Sequence, residues 1–423
     1  MKKYAILLFA TATMIAAGCR QGQGFFPVKA IGDYAIEVID DVPSGDVFAY
    51  SKTLQAKPES WPDICEGGCC AFKDLGNGDL IAGRNMDTKL SEYPVIVFRT
   101  SSGKYRTLNI AYYTGADALT FEEFKQNGIP SSFRETMPFE GISDILNEKG
   151  LYIEADTRCD ETDADGNAII EYCTGTNPGK SRLFAGAVTR WVAENFAGVN
   201  EAVKALQDEV DIFNALPDGT HSRNLAFMIG DASGKYGLVE LAGNKVIFTP
   251  EQKYQASYYI APEFAEKSLY GRGYGRTELF DKCLAEIKSE DEMSAMLKLV
   301  NISNVDKGLQ ESNYRPSFDI RSELSRCFPL DENMKPDWEN GDPARCTTPW
   351  LTDDRNIETI MPLFEEYYRR EFGDSTEVAE PRKMDPPACR NTAIHTVVNC
   401  NKSTLRLRLF EDEEQVFNFS VIE

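Results

Sequence analysis

Gly67-Gly68-Cys69-Cys70-Ala71-Phe72-Lys73-Asp74-Leu75-Gly76-Asn77-Gly78-Asp79-Leu80-Ile81-Ala82-Gly83-Arg84-Asn85-Met86-Asp87 is the stretch on which the fold turns. A Gly-Cys junction opens a short run into the turn cluster Gly76-Asn77-Gly78-Asp79. A second run then leads to Gly83-Arg84-Asn85-Met86-Asp87. An Asn-Gly turn between two short apolar runs predicts a β-hairpin. If the chain is cut before Cys69, the thiol acquires a free α-amine as its neighbour. An α-amine titrates near ~7.7–8.0, so it can take the thiol proton close to neutral pH without any histidine. Arg84, on the adjacent strand, is placed to favour the thiolate, and Asp87 to hold the ammonium.

The composition agrees with chemistry of that kind. The chain has 423 residues, 42% hydrophobic and 26% charged, which describes a folded protein with ample length for a core. It carries 45 Lys+Arg against 67 Asp+Glu, a net charge of −22. That balance argues against binding nucleic acid through its phosphates. Only His221 and His395 are available, too few for a His-rich metal site and a restriction on any histidine-based triad.

Lys2 and Lys3 followed by the apolar run Ala5 to Ala17 read as an export signal, too short to span a membrane. Ala16-Ala17-Gly18-Cys19 resembles the end of a bacterial lipoprotein signal, with Cys19 lipidated. The expected organisation is a signal at 1–18, a lipidated N-terminus and propeptide at 19–68, and one catalytic domain at 69–423. An irregular insertion is expected at about 303–350. The destination is the cell envelope, on its periplasmic or cell-surface side, with membrane contact only through the lipid. Export also permits disulfides, and Cys159/Cys173, Cys327/Cys346 and Cys389/Cys400 are the candidate couples among 11 cysteines.

Outward from the hairpin, strands are expected at Tyr34 to Ile39, Val95 to Arg99, Tyr105 to Ala111 and Leu151 to Glu154. Helices are expected at Phe184 to Phe196 and Val199 to Leu206, with Asn200 as a cap signal, and at Thr277 to Ile287 and Glu290 to Val300. A second hairpin follows Leu225, and the end, His395 to Val398 with Leu405 to Phe410, is a strand pair. Strands first, helices centrally and strands last predict an α+β sandwich rather than βαβ units.

Cys69 to Asp87 resembles the N-terminal nucleophile (Ntn) hydrolases of the choloylglycine hydrolase and penicillin V acylase family, with its acid ceramidase-like and isopenicillin acyltransferase-like relatives. Cys69 lies 15 residues before Arg84 and 18 before Asp87, within about one residue of the family pattern. Asn147-Glu148-Lys149-Gly150-Leu151, Trp191 with Glu201 to Leu206, Phe227 to Glu240 and His395 to Phe410 are similar to further family segments in the same order.

The resemblance implies an αββα four-layer Ntn sandwich that hydrolyses linear, non-peptide amides of small molecules through a thioester, without metal or other cofactor. A homo-oligomer is compatible with it. It implies Cys69 as nucleophile, with Arg84, Asp87 and Arg276 in the active site and Arg272 as competitor for the last. Cys70 is the alternative nucleophile. Choosing Cys69 puts Phe72 at the family's apolar third position, whereas choosing Cys70 puts Lys73 there and shortens the hairpin. Two departures bear on rate and substrate positioning. The family's oxyanion Asn falls at Ser257-Tyr258-Tyr259, so Tyr258 or Tyr259 is the candidate replacement, and another family Asn falls at Asp156-Thr157. An acyltransferase, or a binding lipoprotein that has lost activity, are the rival readings.

Overall fold

The computed structural model describes residues 25–32, 35–43, 45–56, 67–88, 95–101, 103–112, 121–130, 142–158, 171–222, 224–256, 259–262, 280–281, 283–300, 391–409 and 416–422. The signal segment, Cys19 and the expected insertion lie outside these residues.

The hairpin forms where the turn residues require it. Strand β4 (Gly67–Asp74) and strand β5 (Leu80–Thr88) pair antiparallel, with Cys70 opposite Arg84. Asp74 Oδ1 accepts from the Gly76 amide at 2.8 Å and Asn77 Oδ1 from the Asp79 amide at 2.9 Å, so the turn satisfies its own backbone.

Around this hairpin a six-stranded sheet runs in the order β16 (Tyr254–Ala256), β4, β5, β17 (Asn391–Asn399), β18 (Thr404–Leu409), β19 (Val416–Ser420). A nine-stranded sheet runs β15 (Lys245–Pro250), β14 (Tyr236–Ala242), β13 (Leu225–Gly230), β10 (Tyr152–Thr157), β9 (Ile142–Asn147), β7 (Thr107–Tyr112), β6 (Val95–Thr100), β3 (Ala35–Val38), β2 (Val28–Ile31). All its pairs are antiparallel except β3 with β6. Two-stranded pairs join β1 (Phe25–Phe26) to β8 (Ile129–Pro130) and β11 (Ser181–Phe184) to β12 (Val210–Phe213).

Period-2 alternation gives each sheet two apolar faces, and three separate cores result. One lies between the sheets and takes Cys70, Phe72, Ala82 and Met86 from the hairpin, Tyr152 from β10 and Val398 from β17. A second covers the far face of the nine-stranded sheet. It is closed by helices α1 (Val47–Ala56), α2 (Phe121–Asn127), α3 (Val188–Asn195) and α4 (Val199–Asp208). The third covers the far face of the six-stranded sheet, where Met293, Met296 and Leu297 of α5 (Glu290–Leu299) meet Cys69, Ala71, Ile81 and Val397. Helix, sheet, sheet, helix is thus the layer order, the αββα sandwich that the sequence led us to expect.

Two local expectations change. The α4 N-terminus is capped not by Asn200, which lies inside the helix, but by Asp231, whose Oδ2 accepts from the Val199 amide at 2.7 Å. Cys173 and Cys400 are free, buried thiols, so the Cys159–Cys173 and Cys389–Cys400 bridges are not formed; burial in the cores places them instead. Cys159, Cys389 and the couple Cys327/Cys346 lie outside the described residues. Residues within the expected propeptide pack onto the body. Ile36, Val38, Val42, Val47 and Leu54 fill the helix-side core, and Ser51 Oγ accepts from the Phe184 amide at 2.9 Å.

Candidate active site

Register sets up the site. Directly opposite one another across the six-stranded sheet lie Gln255 on β16, Cys70 on β4, Arg84 on β5 and Thr396 on β17. Opposed residues share a face with their Cβ atoms ~4.5–5.5 Å apart. This row takes the parity of Phe72, Ala82 and Val398, so it faces the nine-stranded sheet.

From that sheet the same period brings Asp144 of β9 and Tyr152, Glu154 and Asp156 of β10 to meet the row. Arg84 is the hub. Its Nη1 donates to Asp144 Oδ2 at 3.0 Å, its Nε lies 2.9 Å from Glu154 Oε2, and its Nη2 donates to the Ala155 carbonyl at 2.5 Å. Asp144 Oδ1 accepts from the Tyr152 hydroxyl and, at 3.5 Å, from Thr396 Oγ1. Glu154 Oε1 accepts from Gln255 Nε2 at 2.9 Å and from the Met228 amide at 3.3 Å. Gln255 Oε1 in turn accepts from Arg158 Nη1 at 2.6 Å, and Arg158 Nη2 lies 3.3 Å from Glu240.

Among the described residues the network is buried and carries four carboxyl groups, from Asp144, Glu154, Asp156 and Glu240, against the guanidinium groups of Arg84 and Arg158. A surplus of negative charge away from water is costly, and the cheapest relief is to keep a carboxyl protonated. Glu154 takes that part. Burial pushes its pKa from the ordinary 4.5 up to about 8, against the pull of Arg84 and with the push of Asp156 and Asp144. Burial likewise pushes the Cys70 thiol well up; Glu154 adds to the rise and Arg84 opposes it. The Tyr152 hydroxyl is raised by burial and then by Asp144. In the intact chain, therefore, Cys70 is held as a thiol.

Among the sequence-derived candidates, Cys70 and Arg84 are brought together, and Asp156 joins their cavity wall. Cys69 alternates to the opposite face, between Ala256 and Asn85, in the core covered by α5. Asp87 lies on β5 opposite Gly67 and Thr392, but its side chain is outside what is described. Arg276, Arg272 and Tyr258 are outside the described residues. Tyr259 is buried beneath Arg158, with its ring centroid 5.7 Å from the guanidinium carbon, and its hydroxyl donates to the Leu241 carbonyl at 3.4 Å. Thr157 ends β10 opposite Leu225. Asn147 of the Asn-Glu-Lys-Gly-Leu segment is structural. Its Oδ1 accepts from the Lys149 and Leu151 amides and its Nδ2 donates to the Ala193 and Phe196 carbonyls, tying the β9–β10 turn to α3. Gly150 is obligatory there: φ is +80°, and a Cβ would stand 2.0 Å from the Cys400 carbonyl oxygen.

Sequence reasoning missed Asp144, Tyr152, Glu154 and Gln255. The available signal was a charged residue at core-facing parity inside an apolar strand, as in Tyr152-Ile153-Glu154-Ala155-Asp156.

The cysteine-bearing hairpin lies within the six-stranded sheet and turns Cys70 and Arg84 toward the nine-stranded one. Residues 72–250 match the sequence profile of the linear amide C-N hydrolases, choloylglycine hydrolase family. A variant of conjugated bile acid hydrolase from Clostridium perfringens overlays with a TM-score of 0.40 at 14% identity, covering 84% of this chain and 92% of that one. Penicillin V acylase from Agrobacterium tumefaciens overlays with a TM-score of 0.39 at 16% identity, covering 84% and 86%. No curated protein sequence matches.

Proposed function

We propose that the protein is exported, carries lipid on Cys19 and matures by cleavage within Gly68-Cys69-Cys70, exposing an N-terminal cysteine that hydrolyses small linear N-acyl amides. The α-amine takes the thiol proton, and the thiolate attacks the amide carbon to give a thioester. The amine returns the proton to the leaving nitrogen, and water then releases the acid. The observation that carries this reading is the row Gln255–Cys70–Arg84–Thr396, which sets a thiol opposite a guanidinium between the sheets. It favours Cys70 as nucleophile, while the motif register favours Cys69. Arg84 supplies the positive charge that stabilises a thiolate once cleavage opens the strand end. Phe72, stacked on Tyr236 at 5.5 Å and edge-on to Tyr152 at 6.0 Å, offers an apolar wall to an acyl group.

Conjugated bile salts, penicillin V-like amides and N-acyl lipids form the substrate class, with the −22 charge disfavouring strongly anionic members except where Arg84 or Arg276 supplies a counter-charge. Asp87 and Arg276 keep the roles that the family resemblance gives them. Export and lipidation are supported by Lys2-Lys3, the apolar run and Gly18-Cys19.

N-terminal mass analysis of the mature protein, with Cys69→Ala and Cys70→Ala, tests the reading. A mature chain beginning at Cys70, with processing and amidase activity lost only in Cys70→Ala, is expected. A chain beginning at Cys69 and inactive only as Cys69→Ala moves the nucleophile by one residue. An intact, active precursor sinks the mechanism. Adding an amine acceptor and finding acyl transfer in place of the free acid would make it an acyltransferase.

A further inference from the structure

Cutting the chain before its nucleophile raises a problem that turnover does not have. The α-amine that serves as base in turnover does not exist until the cut is made, so maturation needs another proton acceptor. We infer that Glu154 is that group: it takes the proton from the Cys70 thiol during the cleavage that frees residue 70. The inference rests on the reading of Cys70 as nucleophile.

The geometry is specific. Gln255 and Arg84 are the two cross-strand neighbours of Cys70, one on each side. Both hold the same carboxyl group: Gln255 Nε2 donates to Glu154 Oε1 at 2.9 Å, and Arg84 Nε lies 2.9 Å from Oε2. A group bridging both neighbours of Cys70 from the opposing sheet stands over Cys70 itself. Oε1 is occupied by Gln255 and by the Met228 amide, whereas Oε2 has Arg84 Nε at 2.9 Å as its described contact and is the oxygen that takes the proton. The carboxyl group is completely buried, which raises its pKa to about 8; the protonated form predominates at neutral pH, and the ionised fraction, a strong base, is the form that takes the thiol proton.

The step balances. Glu154 Oε2 accepts the thiol proton, and Cys70 Sγ bonds to the carbonyl carbon of residue 69. The C–N bond between residues 69 and 70 breaks, and the departing nitrogen recovers the proton from Glu154, which leaves a thioester and a free α-amine. Water hydrolyses the thioester, leaving the carboxylate of residue 69 and the Cys70 thiol. Asp144 and Asp156 belong to the same buried network, but Asp144 is engaged by Arg84, Tyr152 and Thr396. Neither is bridged to both neighbours of Cys70 in the contacts described.

The test follows processing of the full-length precursor by intact mass against time. General acid–base assistance contributes ~10²–10⁴-fold. Glu154→Gln is expected to slow cleavage at least ~100-fold, Glu154→Asp less, and added formate should restore cleavage to Glu154→Ala in proportion to its concentration. Wild-type cleavage rates in Glu154→Gln overturn the inference. So does slow cleavage in all three variants with no response to formate, which marks Glu154 as structural only. Folding of each variant is followed by its unfolding midpoint, and the formate response keeps the test decisive if Glu154→Ala is less stable. Cleavage that persists in Cys70→Ala overturns the nucleophile reading instead, whatever the Glu154 variants do.

Discussion

Glu154→Gln gives a separate prediction about folding that does not depend on any reaction. In the native state the pKa of this carboxyl group rises from the ordinary 4.5 to about 8, with burial as the first cause. An acid whose folded pKa is raised binds a proton in the native state that the unfolded chain has already lost. Stability from this group is therefore complete below pH 4.5 and is lost as pH rises toward 8. At 1.36 kcal/mol per pKa unit the loss is on the order of 5 kcal/mol across that window. The fitting assay is denaturant unfolding from pH 5 to pH 9 in a background in which Cys69 and Cys70 are both alanine, so that cleavage cannot intervene. The chain that keeps Glu154 should lose stability by about 1.4 kcal/mol per pH unit up to about pH 8 relative to the Glu154→Gln chain, and then run parallel to it. Arg84, Asp144, Asp156, Tyr152, Arg158 and Glu240 titrate or hold charge around the same cavity. They are common to both chains, so the difference curve reports Glu154 together with the change its charge makes in these neighbours. A difference that stays flat within about 0.5 kcal/mol from pH 5 to pH 9 would refute the placement of this carboxyl group in a dry, negatively charged cavity.

Arg84→Met leaves Asp144 and Glu154 without their shared cation in a buried site, and is expected to cost about 3–5 kcal/mol in unfolding free energy as well as abolishing maturation. Cys173, with its pKa raised by burial to about 11, and Cys400, raised further, should resist iodoacetamide in the folded protein and react on unfolding; modification at native pH would contradict their burial. After maturation the segment 25–56 should remain bound to the body and separate only in denaturant, as read by size-exclusion chromatography. Its Ile36, Val38 and Leu54 are core residues, and Glu37 pairs with Arg99 at 2.9 Å.

The hairpin, both helices after residue 184 and the closing strands were legible because each is a local pattern: a turn dipeptide, a 3.6-residue period or an alternation. Cys70 and Arg84 were legible because they share one hairpin. Asp144 and Glu154 were not, because they lie 60 and 70 residues beyond Arg84 and reach it only through the order β9–β10 in a second sheet. Gln255 lies 101 residues from Glu154 for the same reason. The disulfide expectation failed on Cys173 and Cys400 because sequence proximity carries no information about which core a thiol enters. The packing of the segment before Cys69 was not legible because it depends on core residues such as Ile36 and Val38 and on a parallel pairing of β3 with β6 that no local pattern announces.

The choice between Cys69 and Cys70 shows how little a motif spacing can decide alone. A strand has period 2, so a one-residue change in register moves every side chain to the other face. In this hairpin Cys70 stands opposite Arg84 and Cys69 opposite Asn85. Asn85 donates to the Leu297 carbonyl of α5, on the far side of the sheet from Asp144 and Glu154. A nucleophile that uses Arg84 must share its face, and counting residues to within one cannot specify a face. Gly68 adds a constraint of the same kind, since a Cβ there would stand 2.2 Å from the Asn85 carbonyl oxygen. The strand is thus held closely against Asn85, in the register that puts Cys70, rather than Cys69, on the face toward Glu154.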